Sequence, residues 1–256
     1  MTAMTTSSLR VFERNVASYR KMWLVFVAGF TEPIFYLFSL GVGLGQLVDG
    51  VIIDGQELSY AQFVAPGLMA ASAMNGAFFD MTFNFFYKLK YAKTFDAILN
   101  TPLSIGDILV GEIIWAVVRG MIYASGFLIV MTLMGLVSSW WALAAVPASL
   151  FIALAFAALG AMFSSYIRTW HDFDLIQLII QPLFLCSTSF FPLEVYPGWA
   201  QPIVKISPLY HGVALLRDLV LGSVGLHDLW HIAFLAILGT AGALVSRRRL
   251  IQLLLK

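Results

Sequence analysis

Residues 88–102 read KLKYAKTFDAILNTP and separate two long apolar runs of the chain. Three lysines exclude this stretch from the hydrocarbon core of a bilayer, and the Thr-Pro pair at its end favours a helix stop. Four apolar residues recur within it at helical spacing: Tyr91, Phe95, Ile98 and Leu99. The pattern predicts a short helix at the membrane surface that offers one apolar stripe to a partner protein. We call residues 88–102 the basic segment.

The composition is that of a membrane protein. Of the 256 residues, 60% are hydrophobic and 11% are charged, with a mean hydropathy of +0.87. This is more apolar surface than the interior of a globular protein of that size buries. A net charge of +1 gives no sign of a nucleic-acid partner. The single cysteine, Cys186, excludes an intrachain disulfide and a thiolate metal site.

The apolar residues divide into six runs, each near or above the roughly 20 residues that cross a bilayer. They cover residues 22–47, 60–87, 106–136, 141–166, 173–191 and 229–246. The fourth run, rich in Ala, Gly and Ser, is typical of a packing helix. Before the first run, residues 7–21 place apolar side chains at helical steps among arginines, which predicts a helix lying in the headgroup region.

Cations concentrate at alternate boundaries between these runs. They precede the first run, occupy the basic segment, follow the fourth run at Arg168 and follow the sixth at residues 247–249. The loop 48–59 carries three acidic residues and no cation. The positive-inside rule therefore predicts six transmembrane helices with both termini and the basic segment in the cytoplasm.

Ionisable residues also fall inside the predicted spans. They are Glu32, Asp80, Glu112 and Arg119. Such residues are costly in a membrane and should face the interior of the bundle, with Arg119 and Asp80 as one candidate pair and Glu112 with a polar group of a neighbouring span as another. We favour structural ion pairs over a proton relay, because no chain of carboxylates and histidines crosses the membrane. Proline after Glu32 predicts a kink in the first span.

Aromatic rings crowd the first two spans and are candidates to line a path for an amphiphile. The candidates are Phe35, Phe38, Phe78, Phe79 and Phe83. Flat, polarisable rings stack on sugars or lipids without demanding one fixed fit. For most of these rings, lipid contact and helix packing are the favoured alternative.

Residues 192–228, which we call the outer segment, are broken by four prolines into pieces too short to cross a bilayer. Ser207-Pro208 suits the start of a helix that runs to about Leu221. We expect two short helices that re-enter the membrane from the outer face and pack against protein. His227 and His231 stand at i and i+4, as in the zinc motif HExxH, but with Asp for Glu and without an evident third ligand, so we expect no metal site from this pair.

Several motifs together resemble the membrane subunit of ABC-2 type exporters. They are Thr101-Pro102-Leu103, FFPLEVYPGW at 190–199, SPLYH at 207–211, Leu216-Arg217 and Leu221-Gly222. The strings YAQFVAPGLMAASAMNGAFF at 60–79, KTFDAIL at 93–99 and GDILVGEIIWA at 106–116 are most similar to nodulation lipooligosaccharide exporter permeases, and next to daunorubicin-type drug exporter permeases. The similarity covers about residues 10 to 250.

The resemblance implies an all-α integral membrane domain spanning residues 1–256 that pairs with a second copy of itself or a related permease. It also implies two copies of a separate ATP-binding subunit, which hold ATP and Mg²⁺ and contact the basic segment. The residues implied in that contact are Tyr91, Lys93, Phe95, Asp96, Ile98 and Leu99. An outer gate is implied at Phe190, Phe191, Pro192, Pro208, Tyr210, His211 and Arg217. The arginine-glutamate-glycine string of other branches is missing from the basic segment.

The expected function is a permease subunit that exports an amphiphile, either a lipooligosaccharide, a glycolipid or a hydrophobic drug, across a bacterial cytoplasmic membrane. No Walker motif is present, and GVGLG at 41–45 lacks the lysine and hydroxyl residue that one requires, so we expect no enzyme activity and no cofactor in this chain. Surrounding lipid is the other expected partner. The alternatives are a membrane-embedded enzyme, whose ionisable residues would converge at one depth, and a channel or scaffold without an ATPase partner.

Overall fold

The computed structural model describes residues 2–20, 24, 31, 34–43, 45, 50–53 and 56–255. Half of the predicted first span lies outside these residues, including Glu32 and its proline. The helices in chain order are α1 (Thr2–Tyr19), α2 (Tyr60–Phe79), α3 (Phe85–Lys90), α4 (Thr94–Leu99), α5 (Ile105–Leu133), α6 (Ala142–Tyr166), α7 (Phe173–Leu185), α8 (Gln201–Ile206), α9 (Pro208–Leu221) and α10 (Asp228–Leu254). The predominantly helical fold predicted from the sequence is confirmed.

Three helices are long and apolar enough to cross a membrane within the described part of the chain. They are α5 with 29 residues, α6 with 25 and α10 with 27. At 1.5 Å per residue, even α6 is about 38 Å long, more than the roughly 30 Å of hydrocarbon in a bilayer. A π-helical turn at Asp80–Asn84 joins α2 to α3, so helical structure is continuous from residue 60 to residue 90.

Helix α6 lies at the centre and contacts α2, α5, α9 and α10. Small residues allow this close packing, as predicted for the fourth apolar run. At Gly120 of α5, an added Cβ would lie 2.7 Å from the backbone oxygen of Ala73 and 2.9 Å from the Cβ of Ala153. Ser164 donates to the backbone oxygen of Met81 over 2.7 Å. Helices α2, α5 and α6 are therefore held with almost no space between their backbones.

The prediction of a purely α-helical chain is wrong in the loop before α2. Strands β1 (Val51–Ile53) and β2 (Gln56–Leu58) pair in an antiparallel hairpin, with Val51 opposite Leu58. Consecutive β-branched residues in β1 favour extended structure. Ser59 and Gln62 then form a capping box, which explains why α2 begins directly after β2.

The fifth predicted span, 173–191, is helical only as far as Leu185. Thirteen residues of helix give about 20 Å, which is too short to cross the hydrocarbon of a bilayer. The hydroxyls of Ser187 and Thr188 bond to nearby backbone oxygens, and Thr188 has a left-handed φ of 61°. Such local bonds compete with helix continuation. The count of six spans thus stays a prediction.

The predicted short helices of the outer segment are present as α8 and α9, and α9 begins at Pro208 and ends at Leu221 as expected. Gly222 ends α9 with φ 89°, a conformation that suits glycine at a helix C-terminus. Ser207 occupies the N-cap position, but its hydroxyl has no hydrogen-bond partner among the described residues. Proline at the first helical position thus marks the start of α9 without a side-chain cap.

We expect Gly120→Val to destabilise the chain by about 1–3 kcal/mol, because the new side chain must displace backbone on one side and Ala153 on the other. Thermal unfolding of the purified chain in detergent measures the effect. Gly198→Val is the matched control, since nothing lies within 4 Å of a Cβ built at Gly198. Equal melting temperatures for the two variants would contradict the tight three-helix crossing.

Candidate coupling and transport sites

The basic segment is two helices rather than the single helix predicted. The amides of Tyr91 and Ala92 both bond to the backbone oxygen of Tyr87, which ends α3, and Lys93 then adopts a left-handed φ of 51°. Helix α4 starts at Thr94 in a new direction. Because the chain is not helical through residues 91–93, helical spacing counted across them did not predict which apolar residues share a face.

Phe95 is fully buried, so its predicted place on an exposed stripe is wrong. Its ring lies 4.9 Å from that of Phe85, and Leu89 and Ile108 belong to the same buried cluster. Phe95 holds α4 against α3 and α5. Ile98 and Leu99 are partly buried beside the same cluster. The apolar stripe thus faces largely inward, because burying it stabilises the segment more than exposing it.

The exposed face of the basic segment is aromatic and charged instead. Tyr91 is 53% exposed, and Lys93 and Asp96 are exposed with their charged atoms 3.8 Å apart. Tyr91 stacks on Trp170, at 5.6 Å between ring centroids, and on Tyr87 at 6.3 Å. Sequence reasoning missed Tyr87 and Trp170. The sequence signals only that Tyr87 and Tyr91 stand at i and i+4. Trp170 could not be found in this way, because it comes from the distant connection between α6 and α7.

Glu112 of α5 joins three elements through one buried carboxylate. Its side chain is 1% exposed, with Lys88 Nζ at 2.6 Å and Arg14 Nη2 at 3.2 Å. Lys88 also donates to Asn15 over 2.9 Å. The predicted partner was a polar group on a neighbouring span, whereas the partners are α1 and the end of α3. This cluster, which we call the Glu112 network, ties the basic segment to α5.

Asp80 of the π turn forms a second network, and the predicted pair with Arg119 is present at 2.7 Å. Tyr19 of α1 donates to the same Asp80 oxygen over 2.7 Å, and Asn84 donates to both Asp80 and Tyr19. Arg119 also donates to Tyr123. Asp80 and Arg119 are both buried. A carboxylate and a guanidinium that meet with this many hydrogen bonds form a structural pair.

Three of the predicted outer gate residues, Pro192, Tyr210 and Arg217, line one cavity of about 390 Å³. The backbone oxygen of a fourth, Phe190, accepts a hydrogen bond from Tyr60 over 3.2 Å. The Arg217 guanidinium donates to the backbone oxygen of Thr188 over 2.7 Å and lies 4.2 Å from the centre of the Phe63 ring. Phe191 points outward and is 53% exposed. Arg217 thus fastens the residues after α7 to α2 and α9.

The two remaining predicted gate residues are Pro208, which begins α9, and His211. His211 faces α10 instead of the cavity. Its Nδ1 lies 2.7 Å from His231 Nδ1, and its ring stacks on Phe234 at 3.9 Å. Burial and the neighbouring His231 lower the pKa of His211 to about 4, so the ring is neutral near pH 7. The i, i+4 histidines have different nearest polar partners: His231 meets His211, and His227 meets Asp218.

The candidate path residues divide into two groups. Phe78 is 1% exposed and packs against Phe156 and Phe163 of α6, so its assignment to a path is wrong. Phe79 lines a separate cavity of about 170 Å³ between α2 and α7. The other residues lining it are Met74, Asn75, Gln177, Ile180, Gln181 and Phe184. We call this cavity the amide groove.

The remaining candidate rings differ in their surroundings. Phe83 stacks on Phe173 of α7 at 4.4 Å. Phe35 and Phe38, in the described part of the first apolar run, are 66% and 62% exposed. At this exposure, within the described part of the chain, both rings are accessible to lipid, to a second chain or to cargo.

Buried polar networks connect the basic segment to the long helices of this membrane protein. Sequence comparison then identifies the protein family. The profile of the ABC-2 type transporter family matches residues 8–221. The chain therefore belongs to the ABC-2 type transporter family. It is a multi-pass bacterial membrane protein and a transport subunit.

Several curated proteins are similar in sequence to most of this chain. Nodulation protein J of Rhizobium leguminosarum bv. viciae is 36% identical over 95% of this chain and 95% of its own length. Nodulation protein J of Rhizobium meliloti (strain 1021) is 34% identical over 86% of this chain and 84% of its own length. The inner membrane transport permease YadH of Escherichia coli (strain K12) is 22% identical over 85% of this chain and 83% of its own length.

We expect Asp80→Asn and Arg119→Gln each to destabilise the chain by about 3–5 kcal/mol, because each leaves the other group buried without its counter-charge. The double variant should lose clearly less than the sum of the two single losses. The exposed pair gives the matched control, since Lys93→Ala and Asp96→Asn should each change stability by less than about 1 kcal/mol. Thermal unfolding in nanodiscs measures the stability of the variants of both pairs. Strict additivity at Asp80 and Arg119 would show that the pair is not coupled.

Proposed function

We propose that this chain is the permease subunit of an ATP-driven exporter of amphiphiles. Family membership supports a separate subunit that hydrolyses ATP, and the lack of a Walker motif in this sequence agrees with it. The Glu112 network is the observation that carries the proposal. It connects the basic segment, which would face that subunit, to the long helix α5 through buried charges that resist being pulled apart.

The ATP-binding subunit would dock on the exposed face of the basic segment. The residues of that face are Tyr87, Tyr91, Lys93, Asp96 and Trp170. Aromatic rings that stack on one another but remain about half exposed are typical anchors of protein interfaces. Two ATP-binding subunits, each holding ATP and Mg²⁺, would act on a pair of permeases. The orientation follows the positive-inside rule, with six spans and both termini in the cytoplasm.

Movement of the basic segment would pass to the membrane as a rigid-body shift. Because α1, α3 and α5 share the Glu112 network and α1, α5 and the π turn share Asp80, a displacement of α3 would move all of them together. Two discrete arrangements of such a body, one favoured by ATP closure of the partner, would open and close a path at the seam between permeases. The cavity around Arg217 would lie at its outer end.

The cargo would be an amphiphile with a glycan part, as the lipooligosaccharides are. The relatives named nodulation protein J support this branch of the family. The amide groove supports it chemically, since three carboxamides (Asn75, Gln177 and Gln181) offer donors and acceptors to sugar hydroxyls beside an aromatic ring that can stack on a sugar face. A planar hydrophobic drug is the second candidate, favoured only by the exposed phenylalanine rings.

We expect Tyr91→Asp combined with Trp170→Asp to reduce export several-fold while the chain still inserts and remains folded, because both side chains are about half exposed. Copurification of the ATP-binding subunit and export from intact cells are the measurements. Trp199→Asp is the control, as that ring is 76% exposed in the outer segment. Phe95→Asp is a poor test, because it would unfold α4.

Retention of both the ATP-binding subunit and full export in the Tyr91→Asp, Trp170→Asp variant would refute the docking face. The family assignment would survive that result, since it rests on the match over residues 8–221.

We expect Gln177→Leu with Gln181→Leu to reduce export of a glycosylated amphiphile by about tenfold, roughly the 1–2 kcal/mol carried by one or two hydrogen bonds. Export of a planar hydrophobic dye should change little. The matched control is Leu178→Gln, at an exposed apolar position of the same helix. Equal losses for glycolipid and dye would indicate a general defect rather than sugar recognition.

A further inference from the structure

A cluster of metal-ligand side chains lies where α9 connects to α10, outside both polar networks and the amide groove. Asp218 lies in the last turn of α9, and His227 and Asp228 lie at the start of α10. The ligand atoms of the three side chains all lie within 4.8 Å of one another. His227 Nε2 is 2.9 Å from an Asp218 oxygen and 3.7 Å from an Asp228 oxygen.

The two carboxylates are already oriented by the loop between them. Asp218 accepts from the Ser223 hydroxyl on one oxygen and faces His227 with the other. Asp228 accepts from the backbone amide of Gly225 on one oxygen and turns the other toward His227. Each carboxylate therefore presents one oxygen to the same point, while its second oxygen is held by a hydrogen-bond donor of the kind that supports metal ligands.

The Asp228 oxygen that faces this point is buried and has no hydrogen-bond partner among the described residues. Asp228 as a whole is only 5% exposed. A buried carboxylate oxygen without a partner is costly, and a second carboxylate beside it adds repulsion. A positive group between them would offset both costs.

The donor set and its spacing fit a small transition-metal ion. Zinc binds His nitrogen and carboxylate oxygen at about 2.0–2.2 Å in a tetrahedral arrangement, which places neighbouring ligand atoms about 3.3 Å apart. The observed separations of 2.9 and 3.7 Å lie on either side of that value. The His227 side chain is 58% exposed, so an ion can enter from solvent and complete its coordination with water.

We propose that Asp218, His227 and Asp228 bind one divalent transition-metal ion, with Zn²⁺ the best match among the common ones. Ca²⁺ and Mg²⁺ fit poorly, because they require six or more oxygen ligands and an imidazole is not among them. The site differs from the His227–His231 pair, since His231 is engaged by His211. Bound metal would link the end of α9 to the start of α10.

The test uses the full-length chain without a histidine tag, stripped with chelator and reconstituted in nanodiscs. Titration with Zn²⁺ by calorimetry, and with Co²⁺ by visible absorption, should show one ion per chain. His227→Ala and Asp218→Asn should each weaken binding by at least about tenfold, and Zn²⁺ should raise the melting temperature of the wild type but not of His227→Ala. His171→Ala, a histidine between α6 and α7, is the matched control and should bind as the wild type does.

The absence of saturable binding, or equal affinity in the wild type and His227→Ala, would overturn the proposal. Loss of binding in His231→Ala but not in Asp218→Asn would also overturn it, by assigning the ion to the two histidines. His227→Ala decides the outcome even if Asp228→Asn fails to fold, because the His227 side chain is exposed. The docking face and the amide groove contain none of these three residues, so their tests are independent of the metal titration.

Discussion

One buried carboxylate, that of Glu112, determines how the surface segment is attached to the membrane helices. An ionised side chain at 1% exposure is tolerated only when its charge is matched, and Lys88 and Arg14 supply two cations from two other elements. Separating both elements from α5 would leave this carboxylate buried without a counter-charge. The attachment of α1 and α3 to α5 is therefore maintained by electrostatics rather than by apolar packing alone.

The Asp80 network also joins α1 and α5 at a buried carboxylate, further along the same helices. Tyr19, Arg119 and the π turn meet at one carboxylate. Because the two networks share α1 and α5, neither can be displaced independently of the other. Gly111 lets α1 approach α5 so closely that an added Cβ would lie 2.7 Å from the Ser8 backbone oxygen. Helices α1 and α5 are thus joined by two polar networks and by close backbone packing at Gly111.

Properties that depend on local pattern were predictable from the sequence, and those that depend on distant contacts were not. Length and hydropathy identify α5, α6 and α10, and a proline with a following glycine bounds α9. The burial of Phe95 was not predictable, since periodicity groups residues on a face without saying which way that face points. The Tyr91–Trp170 stack and the Asp218–His227 contact join residues brought together only by the fold.

The run of aromatic residues in α2 shows how one sequence feature serves two purposes. Phe78 and Phe79 are neighbours, yet successive residues of a helix point about 100° apart, so one ring enters the α6 interface and the other the amide groove. On the α6 side, small residues and a Ser164 hydrogen bond leave no room for movement. On the α7 side, the facing helix is short and its exposed leucines make no tight interface within the described chain. Helix α2 is thus packed tightly against α6 on one side and lines the amide groove with the short helix α7 on the other.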